Sequence, residues 1–253
     1  LPSGWPNLPL NFSKSSMIIG LQNSQVGPNV FCQKQRTSDT CMFLSSLSPI
    51  RYSIRFFTLY NKYLNISNNI FFNSSVNNNI IEIVNNTNFV LYNNTIYSAT
   101  NIPILLNNVS ASNISNNYIV GNGSAGSHCL YMRTYSQNIT VSFNNCTGSQ
   151  YGLATDSSTF NISFLKNRLF FIDDWQILGN LHTIANNTIF NTSANYDGYN
   201  VGLKLWNATN IFVGENNFSR IPSAGIIIKG SENVTIFNNS FDLILPSERY
   251  NIN

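Results

Sequence analysis

Charged side chains are scarce in this sequence of 253 residues. They make up 9% of the chain, with 13 Lys and Arg against 10 Asp and Glu and a formal net charge of +3. The basic residues are scattered rather than clustered, which argues against a nucleic-acid partner. The sequence has no run of 18 apolar residues, so no membrane-spanning segment is predicted. These two shortages exclude nucleic-acid-binding and membrane-spanning proteins.

Cysteine and histidine are also rare. The four cysteines are Cys32, Cys41, Cys129 and Cys146, and the chain has only two histidines. Without a CxxC pair or a group of histidines, we predict no metal site and no cofactor. Four cysteines allow three pairings. We expect Cys32–Cys41 and Cys129–Cys146 because each pair closes a short loop, and four buried free thiols are the alternative.

Asparagine is abundant, with 44 residues, and it supplies 17 Asn-x-Ser/Thr acceptor triplets, or sequons. They begin at Asn11, Asn65, Asn73, Asn85, Asn93, Asn108, Asn113, Asn122, Asn138, Asn145, Asn161, Asn186, Asn191, Asn207, Asn217, Asn233 and Asn238. A chain rich in Asn, Ser and Thr also generates such triplets by chance. Together with low charge and paired cysteines, they predict an extracellular or cell-surface protein carrying covalent N-glycans. The first residue is Leu1 rather than methionine, which predicts a processed or truncated chain.

An internal repeat of 20–29 residues is the strongest pattern in the sequence. Each repeat can be anchored on one asparagine. The eight anchors are Asn69, Asn94, Asn117, Asn144, Asn167, Asn187, Asn216 and Asn239. Three places before every anchor, and two places after it, the residue is apolar. This spacing predicts a short strand with alternating inward residues, a bend at the asparagine, and a further strand after it.

Such a repeat predicts an all-β fold, a single-stranded right-handed parallel β-helix of about eight coils, in which each coil buries its inner face on its neighbours. The anchor asparagines then have two expected roles. Asparagine tolerates left-handed backbone conformations at a bend, and stacked asparagine side chains form a hydrogen-bonded ladder from coil to coil.

The segment GIIIKGSENVTIFNNSF, residues 225–241, resembles the repeat of right-handed parallel β-helix proteins of the NosD and pectate-lyase-like group. The resemblance extends over about residues 61–245. It implies the fold but no single activity, because the group includes lyases, hydrolases, epimerases, phage tailspikes and non-catalytic surface proteins. The density of sequons resembles that of heavily glycosylated archaeal surface proteins.

Residues 1–60 do not follow the repeat, and residues 246–253 form a short C-terminal tail. We expect residues 1–60 to cap the open end of the solenoid, and the alternative is a segment donated to a neighbouring subunit. No amphipathic helix is available to close the other end. An uncovered end favours head-to-tail self-association into a homopolymer.

The sequence offers few candidates for catalysis. Asp156 and Arg133 are predicted on adjacent coils, where an ion pair is the simpler interpretation. Asp173 and Asp174 superficially resemble the double aspartate of polygalacturonases, but the other sequence elements of that family are missing. His182 falls at an inward position and is predicted to be a satisfied core histidine. We therefore lean against an enzyme.

The sequence thus predicts an extracellular, N-glycosylated structural protein, a subunit of a surface filament or coat. The alternative is a β-helix that binds or degrades polysaccharide. It would use carboxylates on an outward face or tyrosines in the 191–202 insertion, where Tyr196 and Tyr199 flank Asp197. A plain surface loop is the simpler interpretation of that insertion.

Overall fold

The computed structural model describes residues 17–22, 30–35, 38–43, 53–59, 63–73, 79–98, 102–192 and 201–242. Every regular element in these ranges is a β-strand. The first strands are β1 (Met17–Gln22), β2 (Val30–Gln35), β3 (Ser38–Phe43), β4 (Ser53–Leu59), β5 (Leu64–Ser67), β6 (Ile70–Asn73), β7 (Ile81–Thr87), β8 (Phe89–Tyr92), β9 (Thr95–Ser98), β10 (Ile104–Ser115), β11 (Tyr118–Val120), β12 (Leu130–Arg133) and β13 (Gln137–Ser142). The others are β14 (Asn145–Ser149), β15 (Leu153–Thr155), β16 (Phe160–Leu165), β17 (Arg168–Ile172), β18 (Gln176–Asn180), β19 (Thr183–Ala185), β20 (Thr188–Phe190), β21 (Val201–Gly214), β22 (Asn217–Ser219), β23 (Ala224–Lys229), β24 (Glu232–Phe237) and β25 (Ser240–Asp242).

From β5 onward, strands at equivalent places in successive coils pair in parallel. One eight-stranded sheet has the order β25-β22-β20-β17-β14-β11-β9-β6. The other two strand positions of each coil merge into a 15-stranded sheet, because β7, β10 and β21 continue through the bend that separates those positions elsewhere. Eight stacked strands correspond to about seven full turns. The predicted right-handed parallel β-helix is confirmed.

The core follows from the period-2 alternation of each strand. In β16, for example, Ile162 and Phe164 are buried while the residues between and beside them are not. The register of the parallel strands then places apolar residues on apolar residues of the next coil. Ile114, Val141 and Phe164, for example, lie above one another on consecutive coils, and each is fully buried. Repeating this column through the solenoid buries one continuous apolar core, whose removal from water stabilises every coil against its neighbours.

The sequence predicts left-handed backbone conformations at the anchor asparagines, and the structure has them one residue earlier. The residue with positive φ is the one before each anchor, not the anchor itself. These residues are Asn68, Asn93, Asn116, Phe143, Lys166, Asn186, Glu215 and Asn238, with φ between 50° and 60°. The bend therefore turns at the exposed residue, which leaves the anchor free to point inward. Because Phe143, Lys166 and Glu215 adopt φ values that disfavour their side chains, the surrounding coil contacts hold the bend in place.

Two antiparallel pairs precede the coils. β1 pairs with β4 and β2 pairs with β3, and β4 in turn runs parallel to β7. Much of the 1–60 segment and all of the 246–253 tail lie outside the described residues. Whether residues 1–60 serve as a cap or as a donated segment stays a prediction.

Candidate functional site

The anchor asparagines form a continuous ladder along the inside of the bend. In each link, the backbone N–H and the Nδ2 of one anchor both donate to the Oδ1 of the next, at 2.8–3.1 Å. Seven such links connect Asn69 to Asn239. The Nδ2 groups also donate to main-chain carbonyls, as Asn144 does to Ile114 at 2.8 Å. The Nδ2 groups of the ladder are thereby satisfied, which is the condition for placing polar groups in a core.

Two of the cysteines are bonded inside the coils. Cys129 and Cys146 form a disulfide between residues 17 apart in sequence, and both are fully buried. Cys32 and Cys41 lie opposite each other in the register of β2 and β3. Their pairing stays a prediction.

The sequon asparagines have the opposite placement from the ladder. Fifteen of the 17 fall where side-chain burial is described, and none of the 15 is buried. The other two, Asn11 and Asn73, have no described side-chain environment. All the anchors from Asn69 to Asn216 are buried. The chain thus sorts two populations of asparagine, one facing the core and one facing outward.

One outward face of the coils collects aromatic and cationic side chains. Trp206, on β21, has the Lys204 ammonium 4.9 Å and the Lys229 ammonium 4.4 Å from its ring centroid. Lys204 also lies 3.4 Å from the Asp174 carboxylate. Cation–aromatic contacts of this kind stabilise the half-buried indole and place positive charge beside it. We call Lys204, Trp206 and Lys229 the Trp206 cluster.

A second aromatic group lies near the starts of β12 and β15. The His128 ring stacks on Tyr131 at 4.6 Å and packs against Tyr151 at 5.0 Å. Burial lowers the pKa of His128 to about 4. Burial also raises the pKa of Tyr131, and the nearby negative charge of Asp156 raises it further. The group is therefore a neutral aromatic surface near neutral pH.

Asp156 has a structural role in a turn. Its carboxylate accepts hydrogen bonds from the Thr134 N–H at 3.0 Å and from the Ser158 N–H and hydroxyl at 2.8 and 2.6 Å. The Arg133 Nε donates to Asn107 Oδ1. In place of the ion pair predicted between Arg133 and Asp156, Asp156 contacts Ser158 in its own turn and Thr134 on the adjacent coil, and Arg133 contacts Asn107.

Asp173 and Asp174 lie at a buried turn rather than on an open face. Their exposed fractions are 5% and 2%, and both backbone N–H groups donate to the Gln150 carbonyl at 3.0 Å. The Asp174 carboxylate pairs with Lys204. A hydrolytic carboxylate needs contact with substrate and water. Burial of both residues, and the ion pair of Asp174, are typical of aspartates with a structural role.

His182 sits in the core, as its inward position predicts. Its Nδ1 accepts from the Ile162 N–H at 3.1 Å, and its Nε2 lies 2.8 Å from the Leu178 carbonyl. Burial lowers its pKa to about 4. The Trp206 cluster and the His128 stack have no distinctive motif in the sequence that marks them as sites. The sequence indicates only that Tyr131, Lys204 and Trp206 face outward, because inward and outward residues alternate along each strand.

Residues 130–243 match the family model described as "Periplasmic copper-binding protein (NosD)". This part of the chain is therefore similar to that family. The predicted resemblance to the NosD and pectate-lyase-like group is thereby confirmed. No curated protein sequence matches the chain.

Among solved structures, the periplasmic alginate epimerase AlgG aligns at a TM-score of 0.50 and 13% identity, over 64% of this chain and 47% of its own. The chain thus spans about half the length of that enzyme. The surface protein and adhesin PfbA of Streptococcus pneumoniae aligns at 0.45 and 13% identity, over 72% of this chain and 65% of its own. A family 28 exopolygalacturonase of Yersinia enterocolitica aligns at 0.29 and 12% identity, over 76% and 46%. At these identities the likeness concerns the fold.

The described residues do not fit a copper site of their own. Copper in proteins is held by imidazole, thiolate or thioether groups. Both ring nitrogens of His182 face main-chain partners, and the Cys129 and Cys146 sulfurs are joined in the disulfide. No group of three His, Cys, Asp or Glu side chains able to hold a metal occurs in the described part of the chain. The same residues contain no helix long and apolar enough to cross a membrane.

Proposed function

We propose that this chain is an exported structural β-helix that carries N-linked glycans and assembles into a surface filament or coat. The observation that supports it is the sorting of asparagines. Fifteen sequon asparagines lie outside the core, while the anchors saturate one another's amides within it. Glycans on the outer set would leave the core and its ladder undisturbed.

The proposed assembly is end to end, in the direction in which the coils already stack. In the coil of β24 and β25, Ile236 and Phe241 pair in register with Val213 and Phe218, which belong to the core of the preceding coil. A second copy seated on this coil would continue the stacking.

The experiment combines glycopeptide mass spectrometry with electron microscopy of protein secreted by its native host. We expect glycans on the outward sequons and filaments or a coat. Ile236→Lys should abolish assembly, because it places a charge at the stacking surface. Tyr118→Lys is the matched control, since Tyr118 is 41% exposed on the side of the rod. Glycan-free monomers, or equal loss of assembly in both variants, would contradict the proposal.

The Trp206 cluster favours a second candidate, the binding of an acidic polysaccharide. An indole ring offers an apolar surface for a sugar face, and the exposed Lys229 offers positive charge for a uronate carboxylate. This candidate requires no catalytic carboxylate. It is compatible with a structural role, because a coat also contacts surrounding polymers.

Calorimetric titration with a soluble polyuronate and with an uncharged glucan distinguishes the contribution of positive charge to binding from that of the indole ring. Trp206→Ala should weaken binding of the polyuronate about tenfold. Lys229→Ala should weaken it and reduce its salt dependence. Tyr118→Ala serves as the control on another face. Equal affinity for both polymers, or no effect of either substitution, would rule this candidate out.

A further inference from the structure

Four outward asparagines form two stacked pairs, and all four begin a sequon. Asn108 Nδ2 donates to Asn85 Oδ1 at 2.7 Å, and Asn161 Nδ2 donates to Asn138 Oδ1 at 2.6 Å. The register of β7 with β10, and of β13 with β16, places the members of each pair at equivalent positions on consecutive coils. The two acceptors in each pair are therefore direct neighbours.

The backbone fixes these side chains in the same direction. The four residues have φ of 53°, 51°, 53° and 52° for Asn85, Asn108, Asn138 and Asn161. Coils stack at a spacing of about 4.8 Å. The inner ladder and the strand hydrogen bonds hold that spacing, so the two side chains of a pair cannot move apart without disturbing the coils.

We infer that each stacked pair carries one glycan and not two, so that occupation of one asparagine blocks the other. This inference rests on the proposed glycosylation. A glycan is bulky, and two of them would leave parallel side chains at the coil spacing. The first glycan attached would cover the approach of the transferring enzyme to its neighbour.

The hydrogen bond within the pair does not itself prevent modification. In the transfer, a bond forms between Nδ2 and the sugar C1. The bond from C1 to the phosphate leaving group of an activated glycosyl donor breaks, and one of the two Nδ2 protons is lost to the medium. The proton that remains on Nδ2 can still donate to the neighbouring Oδ1. Crowding, rather than loss of the amide proton, is the limiting factor.

Two other sequons distinguish the effect of crowding between glycans from the effect of the hydrogen bond. Asn93 Nδ2 donates to Asn68 Oδ1 at 2.7 Å, and Asn233 Nδ2 donates to Asn210 Oδ1 at 2.6 Å. Neither Asn68 nor Asn210 begins a sequon. Asn93 and Asn233 therefore have the same hydrogen bond but no competing acceptor below them. We expect both to be modified independently of their neighbours.

Trypsin provides a direct test, because residues 134–166 form a single peptide that contains Asn138, Asn145 and Asn161. After reduction of the disulfide, we expect this peptide to carry at most two glycans. Thr140→Ala removes the sequon at Asn138 but keeps the asparagine and its hydrogen bond, and occupancy at Asn161 should rise.

Thr147→Ala, which removes the sequon at Asn145, is the matched control and should leave the combined occupancy of Asn138 and Asn161 unchanged. Peptides with three glycans, or no rise at Asn161 in the Thr140→Ala variant, would overturn the inference while leaving glycosylation in place. Absence of glycans from every sequon would overturn the proposed function, and the inference with it.

Discussion

The side-chain oxygen of Asn144 accepts two hydrogen bonds from Asn117, one from its backbone N–H and one from its Nδ2, both at 2.9 Å. Asn144 in turn donates twice to Asn167 Oδ1, at 3.0 and 3.1 Å. The six inner anchors, from Asn94 to Asn216, are each both acceptor and donor in a buried chain of amides. Loss of one member affects the coils on both sides.

Asn144→Ala should lower the free energy of unfolding by about 3 kcal/mol, because two buried donors of Asn117 lose their acceptor. Chemical denaturation of protein made without glycans measures the change. Asn145→Ala is the control, since Asn145 is adjacent in sequence but half-buried and outside the ladder. Equal losses in the two variants would show that the ladder adds nothing beyond ordinary side-chain contacts.

The Cys129–Cys146 disulfide should stabilise the protein by about 3 kcal/mol, the value expected from closing a loop of this size in the unfolded chain. Thermal unfolding of oxidised and reduced protein gives the difference. The comparison belongs in a background with Cys32→Ala and Cys41→Ala, so that reduction changes one bond. Identical transitions before and after reduction would contradict the prediction.

The two histidines, whose pKa values are both lowered, should make stability depend on pH below neutrality. Burial lowers the pKa of His128 and of His182 from 6.5 to about 4. Between these values the unfolded chain binds a proton at each histidine and the folded chain does not. Stability is therefore complete above pH 6.5 and falls toward pH 4, by about 1.4 kcal/mol per pH unit for each histidine.

His182→Gln should remove about half of that slope, whatever it does to stability at neutral pH. Denaturation at a series of pH values measures the slope, and NMR titration of the two rings measures each pKa directly. A ring that titrates near 6.5 in the folded protein would refute the assignment for that residue.

The sequence predicts the coil because the pattern that specifies it is local. Apolar residues three before and two after each anchor fix which side of each strand faces inward, and the same residues then stack between coils. His182 follows the rule even though it is polar, since its position places it inside and its ring finds two main-chain partners. Parallel β-helices are predictable to the extent that one repeat contacts only its neighbours.

The features that the sequence does not predict depend on contacts between coils that do not recur with the repeat. The partner of Asp174 is Lys204, 30 residues away, and the pairing follows from a turn whose length varies from coil to coil. The left-handed residue of the bend also lies one place before the asparagine at which the sequence pattern predicts it. Asparagine occupies both positions in several repeats, and composition alone does not distinguish the one that turns from the one that points inward.

Gly179 offers a last test of how tightly the coils are stacked. Its φ is +99°, and a Cβ there would lie 2.8 Å from His182 Nε2 and would also collide with the Thr159 carbonyl oxygen. Gly123 has a φ of +67° but has no other atom within 4 Å of an added Cβ. Both glycines therefore have a left-handed backbone, but only Gly179 is enclosed.

Gly179→Ala should lower the free energy of unfolding by about 3 kcal/mol, because backbone strain and steric overlap act together. Gly123→Ala should cost about 1 kcal/mol, from the conformation alone. Denaturant titration of the two variants gives both values, and the difference between them isolates the overlap. The His182 ring should also shift its NMR resonances in Gly179→Ala and not in Gly123→Ala. Equal costs would mean that the coil at Gly179 relaxes freely, contrary to a solenoid whose spacing is held by its ladder.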